Sequence, residues 1–239
     1  MKYRIPIIIL LLLTLTACGN RREPLIGLSM AYRDGRYYIN KSYVDAVREN
    51  GGRVRLIPCT QDSVLLKKEL KDIDGIIFTG GRDYPPEWYG RSMHHTVNVM
   101  DIHRARYDSL FAQLALKSGK PVLGICAGVQ LLAVATGGKL IRHVTGHRSS
   151  PHEIAIRPDS RMAGLFGDSM TVNSWHHQVV DPKYLNPDFR ITAWAPDSIV
   201  EAIEYTGKQW IMGTQFHPER LSEELRDEFF TLFIREAGK

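Results

Sequence analysis

An alternation of two periodicities constrains this 239-residue chain more than any other feature. The short apolar runs "PLIGLSM", "RVRLIP", "DGIIFTGG" and "KPVLGI" are separated by "KSYVDAVRENGG", "DSVLLKKELK" and "DIHRARYDSLFAQLALKSG", which repeat with helical spacing. An Asp/Ser cap opens the second of these helices, and glycines stop the first and third. A helix after each strand carries the chain back, so the next strand runs in the same direction. The pattern therefore predicts an α/β fold with a parallel sheet covered by helices on both faces. From about residue 139 the texture changes to short β-like runs, "KLIRHV", "HEIAI", "SMTVNS", "RITAWA", "IVEAIEY" and "QWIMGTQF". These predict antiparallel additions and a returning strand, before "SEELRDEFFTLFIREAG" closes the chain as an amphipathic helix. With 44% hydrophobic and 24% charged residues the composition suits one globular domain.

The first residues have a different use. Lys2 and Arg4 form a basic start, residues 5–13 are almost wholly apolar, and Leu15-Thr16-Ala17-Cys18 has the form of a bacterial lipobox. The apolar run falls short of the roughly 20 residues of a spanning helix. This reading makes residues 1–17 a signal peptide and Cys18 the lipidated first residue of the mature chain. Residues 18–23 become a tether and 24–239 the functional domain. The chain is then expected at the extracytoplasmic face of a bacterial membrane, held by buried acyl CH₂ groups. The formal charge of +5 falls to +3 once Lys2 and Arg4 are removed. The basic residues are scattered, with no tract interleaved with aromatics, which argues against a nucleic-acid partner.

Open parallel sheets carry their sites at the C-terminal ends of strands. Gly80-Gly81 and Cys126 both fall at such ends. In "VLGICAGVQ" a strand feeds a turn and a helix, with Gly124 and Gly128 relieving crowding on either side. A cysteine there lies at a helix N-terminus, whose unpaired N–H groups favour a thiolate and can hold an oxyanion. In "GTQFHPE", Pro218 biases His217 towards an extended backbone. If the strand continues, His217 and Glu219 share a face and supply a base and its orienter. Cys126 is thus a nucleophile or a core thiol, and the glycines favour the first. Cys59, in "VRLIPCT", reads as a small core residue, and a Cys59–Cys126 bridge would silence Cys126.

Taken together, "GICAGVQ", "VATGG", "VNSWHHQ" and "QFHPE" resemble the class I glutamine amidotransferase-like superfamily. "TGGRDYPPEWYG" and "APDSIVEAIE" narrow the resemblance to the gamma-glutamyl-gamma-aminobutyrate hydrolase branch of the C26 cysteine peptidases, over residues 24–235. The resemblance implies a flavodoxin-like three-layer sandwich with a mostly parallel central sheet and an added antiparallel region. It implies Cys126 as nucleophile, His217 as base and acid, and Glu219 as the orienter of His217. The N–H groups of Gly81 and Ala127 would form the oxyanion hole. Gln130, Asn173, Ser174, Trp175 and His176 would hold the ends of a γ-glutamyl group. No cofactor is implied. Relatives commonly carry Arg where this chain has Ala127, and often Asn where it has Ala133, which bears on the choice of substrate.

Asp83, Tyr84, Trp88 and Tyr89 read as part of a mobile segment lining the pocket, with packing an equal alternative for Trp88. His176-His177, with His143, His147 and His152 upstream, raises the question of a metal. Adjacent strand residues face opposite ways and no carboxylate stands at ligand spacing, so the expectation is a substrate loop without metal. A second domain to receive ammonia is not evident, so no synthase partner is expected. Two other readings remain: a non-catalytic binding lipoprotein on the same fold, and a redox lipoprotein using Cys59 and Cys126.

Overall fold

The computed structural model describes residues 22–149 and 151–239. The signal peptide and the lipidation site assigned to Cys18 lie outside the described residues. In chain order the elements are β1 (Leu25–Ser29), β2 (Ala31–Arg33), β3 (Arg36–Tyr38), α1 (Lys41–Glu49), β4 (Arg53–Ile57), α2 (Ser63–Asp72) and β5 (Gly75–Phe78). Then come α3 (Ile102–Ala115), β6 (Val122–Ile125), α4 (Ala127–Ala135), β7 (Leu140–Ile141), β8 (His152–Ile156), α5 (Ala163–Phe166) and β9 (Ser169–Val172). The last are β10 (Val179–Val180), β11 (Phe189–Trp194), β12 (Val200–Tyr205), β13 (Ile211–Thr214) and α6 (Glu223–Ala237). Among the described residues, no helix is long and apolar enough to cross a membrane.

Nine strands form one sheet in the order β4-β1-β5-β6-β13-β12-β11-β8-β9. The first five are parallel neighbours, and the remaining pairings are antiparallel. The α/β expectation, with a parallel core and an antiparallel extension, holds. β13 is the hinge between the two halves, since it pairs parallel with β6 and antiparallel with β12. One element escaped the sequence reading. Asp34 and Gly35, both at positive φ, turn the β2–β3 hairpin, and Asp-Gly is a strong signal for such a turn.

Alternation along the strands sorts the core into two clusters. Ile76, Phe78 and Val122 face the side packed by Leu66, Leu70, Phe111 and Leu132, from α2, α3 and α4. Ile26, Leu28, Ile77, Leu123 and Ile125 face the side packed by Tyr43, Val47, Phe229, Phe230 and Phe233, from α1 and α6. That is a helix–sheet–helix sandwich. Helix starts follow their caps: Asn40, Asp62 and Asp101 each accept a first-turn backbone N–H, satisfying donors a helix leaves open.

A buried ion pair underlies the C-terminal edge of the parallel strands. Arg104 Nε donates to Asp108 Oδ2 at 2.6 Å, Tyr84 O–H donates to the same oxygen at 2.7 Å, and Arg104 also donates to Thr79 O at 3.3 Å. The network ties α3 to the start of the Gly80-Gly81 turn. It also corrects an expectation. Tyr84 and Tyr89 are buried core residues, and Trp88 packs half-buried against the core, so only Asp83 of that group lines a cleft. The Tyr84 hydroxyl is bound by Asp108, which holds the side chain inward.

Two glycines show how local the packing demand is. A Cβ on Gly128 would stand 2.3 Å from the Phe78 carbonyl oxygen, whereas one on Gly164 would meet nothing within 4 Å. The same chemical change should therefore have opposite signs. Gly128→Ala is expected to lose about 1–3 kcal/mol or more through overpacking, and Gly164→Ala to gain about 0.4–1 kcal/mol by restricting the unfolded chain. Urea-denaturation midpoints of the two variants check this.

Candidate active site

Because β5, β6 and β13 are parallel neighbours, the chain leaves all three at one edge of the sheet. β5 leads into Gly80-Gly81, β6 into Cys126, and β13 into His217. Cys126 caps α4 with φ 54° and ψ −106°, a conformation that a non-glycine residue adopts only when its surroundings hold it. The hold is visible. Cys126 N–H donates to Thr214 O at 2.8 Å, extending the β6–β13 ladder by one residue. A Cβ on Gly124 would be 2.6 Å from the Gly128 backbone, so strand and helix approach more closely than side chains allow. Ala127 begins α4, where an N–H has no acceptor within the helix.

His217 is fixed at its backbone by Asn173. Its N–H donates to Asn173 Oδ1 at 2.9 Å, and Asn173 Nδ2 donates to His217 O at 2.8 Å. Its ring is fixed by Glu219, with Nδ1 2.7 Å from Oε1, leaving Nε2 for the thiol. The route differs from the extended strand anticipated. β13 ends at Thr214, His217 is extended, and Pro218–Arg220 form a single 3₁₀ turn that swings Glu219 back to the ring. Burial works against a charged imidazole. Cys126, through its charge and a hydrogen bond, and Glu219 outweigh it and raise His217 to about 10. An imidazolium at neutral pH is the partner a thiolate requires.

Gly80 packs directly on this pair, since a Cβ there would stand 3.0 Å from His217 Cε1 and 3.6 Å from Cys126 Cβ. Its N–H donates to the Tyr43 hydroxyl at 2.9 Å, which distinguishes it from Gly81, whose ideal Cβ would lie 3.7 Å from Ala127 Cβ. Tyr43 is a participant that sequence reasoning missed. Its hydroxyl also lies 3.5 Å from His217 Nδ1. Burial, then the charge of Glu219, push its phenol well above the ordinary value, so it stays a neutral O–H. An aromatic residue on the inner face of a helix carries no mark of such a role.

The residues offered as substrate contacts separate into two groups. Trp175 is 42% exposed, with its ring edge-on to His217 at 5.6 Å and under the Arg220 guanidinium at 5.0 Å. It lines a cleft of ≈ 290 Å³ with Gly81, Arg82, Asp83, Asn98, Arg148 and His177. The others point inward. Gln130 Nε2 donates to Gln178 O at 2.9 Å and to Gln215 Oε1 at 3.2 Å, and Ser174 Oγ donates to His147 O at 2.7 Å. Asn173 holds His217, and His176 is buried. His177, beside His176 in the loop before β10, faces the other way, and its Nε2 lies 3.0 Å from Asp83 Oδ2. That contact joins the two loops flanking the cleft.

The carboxylate that the histidines lacked in sequence arrives from β12. Glu201 is fully buried, and its Oε1 lies 3.2 Å from His152 Nε2, 3.4 Å from His147 Nδ1 and 3.4 Å from His176 Nε2. It stands 49 residues from His152, too far for local spacing to reveal. Cys59 and Cys126 are both free and buried. Cys59 Sγ donates to Met30 O at 3.2 Å, and burial pushes its thiol up to about 12, so it rests as a protonated core residue.

A strained cysteine at a helix start, beside a buried imidazole–carboxylate pair and free backbone donors, can carry acyl transfer. Known proteins with similar chains agree in kind. The chain is 31% identical over 216 residues to protein NtpR of Enterococcus hirae, covering 83% of this chain and 89% of that one. It is 28% identical over 227 residues to the gamma-glutamyl-gamma-aminobutyrate hydrolase PuuD of Escherichia coli K12, covering 84% and 88%. The glutaminase domain of Trypanosoma brucei CTPS, solved with bound acivicin, shares the fold at a TM-score of 0.66 and 16% identity, over 90% of this chain and 93% of that one. The peptidase C26 family model matches residues 23–219, and this chain belongs to the peptidase C26 family.

Proposed function

We propose that this chain is a cysteine hydrolase of γ-glutamyl amide bonds, tethered to a bacterial membrane through a lipid on Cys18. The observation that carries the chemistry is the strained Cys126 at the start of α4, paired with a His217 whose charge Glu219 and the thiol sustain. The substrate class rests on family membership and on the similarity to a gamma-glutamyl-gamma-aminobutyrate hydrolase. The tether rests on the lipobox-like Leu15-Thr16-Ala17-Cys18.

In the first step Cys126 Sγ attacks the γ-carbonyl carbon and forms a C–S bond. The carbonyl oxygen takes up negative charge between the N–H groups of Gly81 and Ala127. His217 then gives its proton to the amide nitrogen, the C–N bond breaks, and a neutral amine leaves. In the second step water attacks the thioester carbon as His217 accepts its proton. The C–S bond breaks, the thiolate is restored opposite the protonated His217, and the glutamyl γ-carboxylic acid departs, losing its remaining proton to solvent. Glu219 keeps the proton on His217 Nδ1, so Nε2 faces the chemistry throughout. The arginines of the cleft, Arg82 and Arg148, favour a substrate bearing carboxylates, and Trp175 offers an apolar wall to its stem.

Amine release from a panel of γ-glutamyl compounds tests the reaction. Cys126→Ala should abolish turnover. Glu219→Gln should lower kcat by up to about 10⁴-fold, the loss seen when a buried acid that orients a catalytic histidine is neutralised. Turnover unaffected by Cys126→Ala would end the proposal.

The raised His217 sets a pH signature. The proton that must reach the leaving amine is present below about pH 10 and lost above it. Amide hydrolysis should therefore fall as pH rises through about 10. Alkylation of Cys126 by iodoacetamide, which needs no acid, should not fall. Parallel pH profiles of the two reactions check the sign.

Fractionation tests the tether. The full chain should sediment with membranes and its Cys18→Ser variant should not. A wild-type chain found in the soluble fraction would overturn the anchor while leaving the hydrolase reading intact.

A further inference from the structure

The antiparallel half of the sheet buries a cluster that the proposed hydrolysis does not use. His147 lies in the loop after β7, His152 opens β8, and Glu201 lies near the start of β12. One donor atom from each falls within 4.8 Å of the other two. His147 and Glu201 have side chains 5% and 0% exposed, while His152, at 17%, gives the cluster a face towards solvent.

From this arrangement we infer that His147 Nδ1, His152 Nε2 and a Glu201 carboxylate oxygen bind a divalent transition ion of the zinc type. Three geometric facts support it. First, the N···O separations are 3.4 Å for His147, beyond the usual hydrogen-bond range, and 3.2 Å for His152, at its upper end. They match the ligand-to-ligand edge of a tetrahedral centre, about 3.3–3.4 Å for bonds of about 2.0–2.1 Å.

Second, His147 is already oriented as a metal ligand. Its Nε2 lies 3.0 Å from Asp197 Oδ2, and the neutral tautomer protonated there directs the Nδ1 lone pair towards Glu201. A carboxylate behind a ligating imidazole is the usual outer partner of such a site. Glu201 and Asp197 together also balance the two positive charges of the ion.

Third, buried polar atoms aimed at the cluster are unsatisfied. Glu201 Oε2 and both ring nitrogens of His176 have no hydrogen-bond partner, although His176 is 1% exposed at its side chain and its Nε2 stands 3.4 Å from Glu201 Oε1. Native interiors rarely leave such atoms unpaired. The contrast on the same strand is instructive. Glu204, equally buried, has both oxygens engaged, by Arg161 N at 2.8 Å and by Arg161 and Arg190 guanidinium groups at 3.1 and 3.3 Å. Glu201 has three imidazoles around one oxygen and nothing on the other.

The donor set selects the ion. Imidazole nitrogens with one carboxylate suit zinc and its neighbours, whereas calcium and magnesium call for oxygen ligands. Three protein ligands leave one tetrahedral position for water. The ion would fasten the loop that carries Trp175. Ser174 Oγ and His176 N–H both donate to His147 O, at 2.7 and 3.0 Å, and Ser149 N–H donates to Ser174 O at 2.7 Å. A metal-fixed His147 therefore fixes residues 174–176, and with them one wall of the cleft.

Titration of the EDTA-dialysed full chain in detergent with Co²⁺ and Zn²⁺ tests the site. One equivalent of Co²⁺ should bind with tetrahedral d–d absorption and without a thiolate-to-cobalt charge-transfer band, and Zn²⁺ should displace it. His147→Ala and Glu201→Gln should abolish that spectrum. Asp197→Asn, at a largely exposed position, should weaken affinity about 10–100-fold. If circular dichroism shows that the buried variants do not fold, His152→Gln and Asp197→Asn decide. Cys126→Ser should bind Co²⁺ as the wild type does. The absence of stoichiometric binding would overturn the inference. So would binding that carries the thiolate band and is lost in Cys126→Ser but kept in Asp197→Asn, since the ion would then sit on Cys126 and His217.

Discussion

The arrangement of the site depends on one close approach, that of β6 and α4 around Cys126. The strand must end, turn through a positive φ and begin a helix within a single residue. That is possible only because Gly124 meets the Gly128 backbone and Gly128 meets the Phe78 carbonyl with no Cβ between them. The strain at Cys126 is therefore held by contacts on both sides, one within its own turn and one from the neighbouring strand β5. The consequence is chemical. The thiol stands at the head of α4, beside an N–H that the helix leaves unpaired, rather than inside the sheet.

A thiol placed this way could act as a nucleophile only with an imidazole at the same edge, and the strand order brings one there. β13 lies next to β6, so the segment after it emerges beside Cys126. The switch to antiparallel pairing at β13 brings the second half of the chain alongside. Asn173, just beyond β9, can then clamp the His217 backbone from the far half. The two halves of the sheet thus contribute different things. The parallel half sets the cysteine and the glycine turn, and the antiparallel half helps set the position of His217 and the walls of the cleft.

This division explains what the sequence discloses. Cys126 is legible because its constraint is local: two glycines at fixed offsets around one turn. His217 and Glu219 are legible for the same reason, although they meet through a 3₁₀ turn and not through the extended strand the spacing suggests. Asp34-Gly35 also marks its hairpin in "AYRDGRYY", a turn whose strands are only three residues each. Tyr43 and Glu201 are different. Each acts through partners far along the chain, Tyr43 through Gly80 and His217, Glu201 through three histidines. In "IVEAIEY" nothing separates the acid that meets arginines from the one that meets imidazoles. Tertiary pairing decides that.

Ala127 contributes through its backbone N–H, which survives any side-chain change, while its methyl group faces Gly81 at ordinary contact distance. Neither residue brings a charge to that part of the edge. The positive charge bordering the cleft comes from Arg82, beyond β5, and Arg148, in the loop before β8, with Trp175 beside it. The charged and aromatic groups of the cleft therefore stand on loops on both sides of Cys126 rather than on the turn that holds it. The loop bearing Arg148 is hydrogen-bonded to the one bearing Trp175 through Ser149, Ser174, His176 and His147. Whatever fixes His147 consequently fixes the guanidinium-bearing and indole-bearing walls together, and ties both to the buried charges of the antiparallel half.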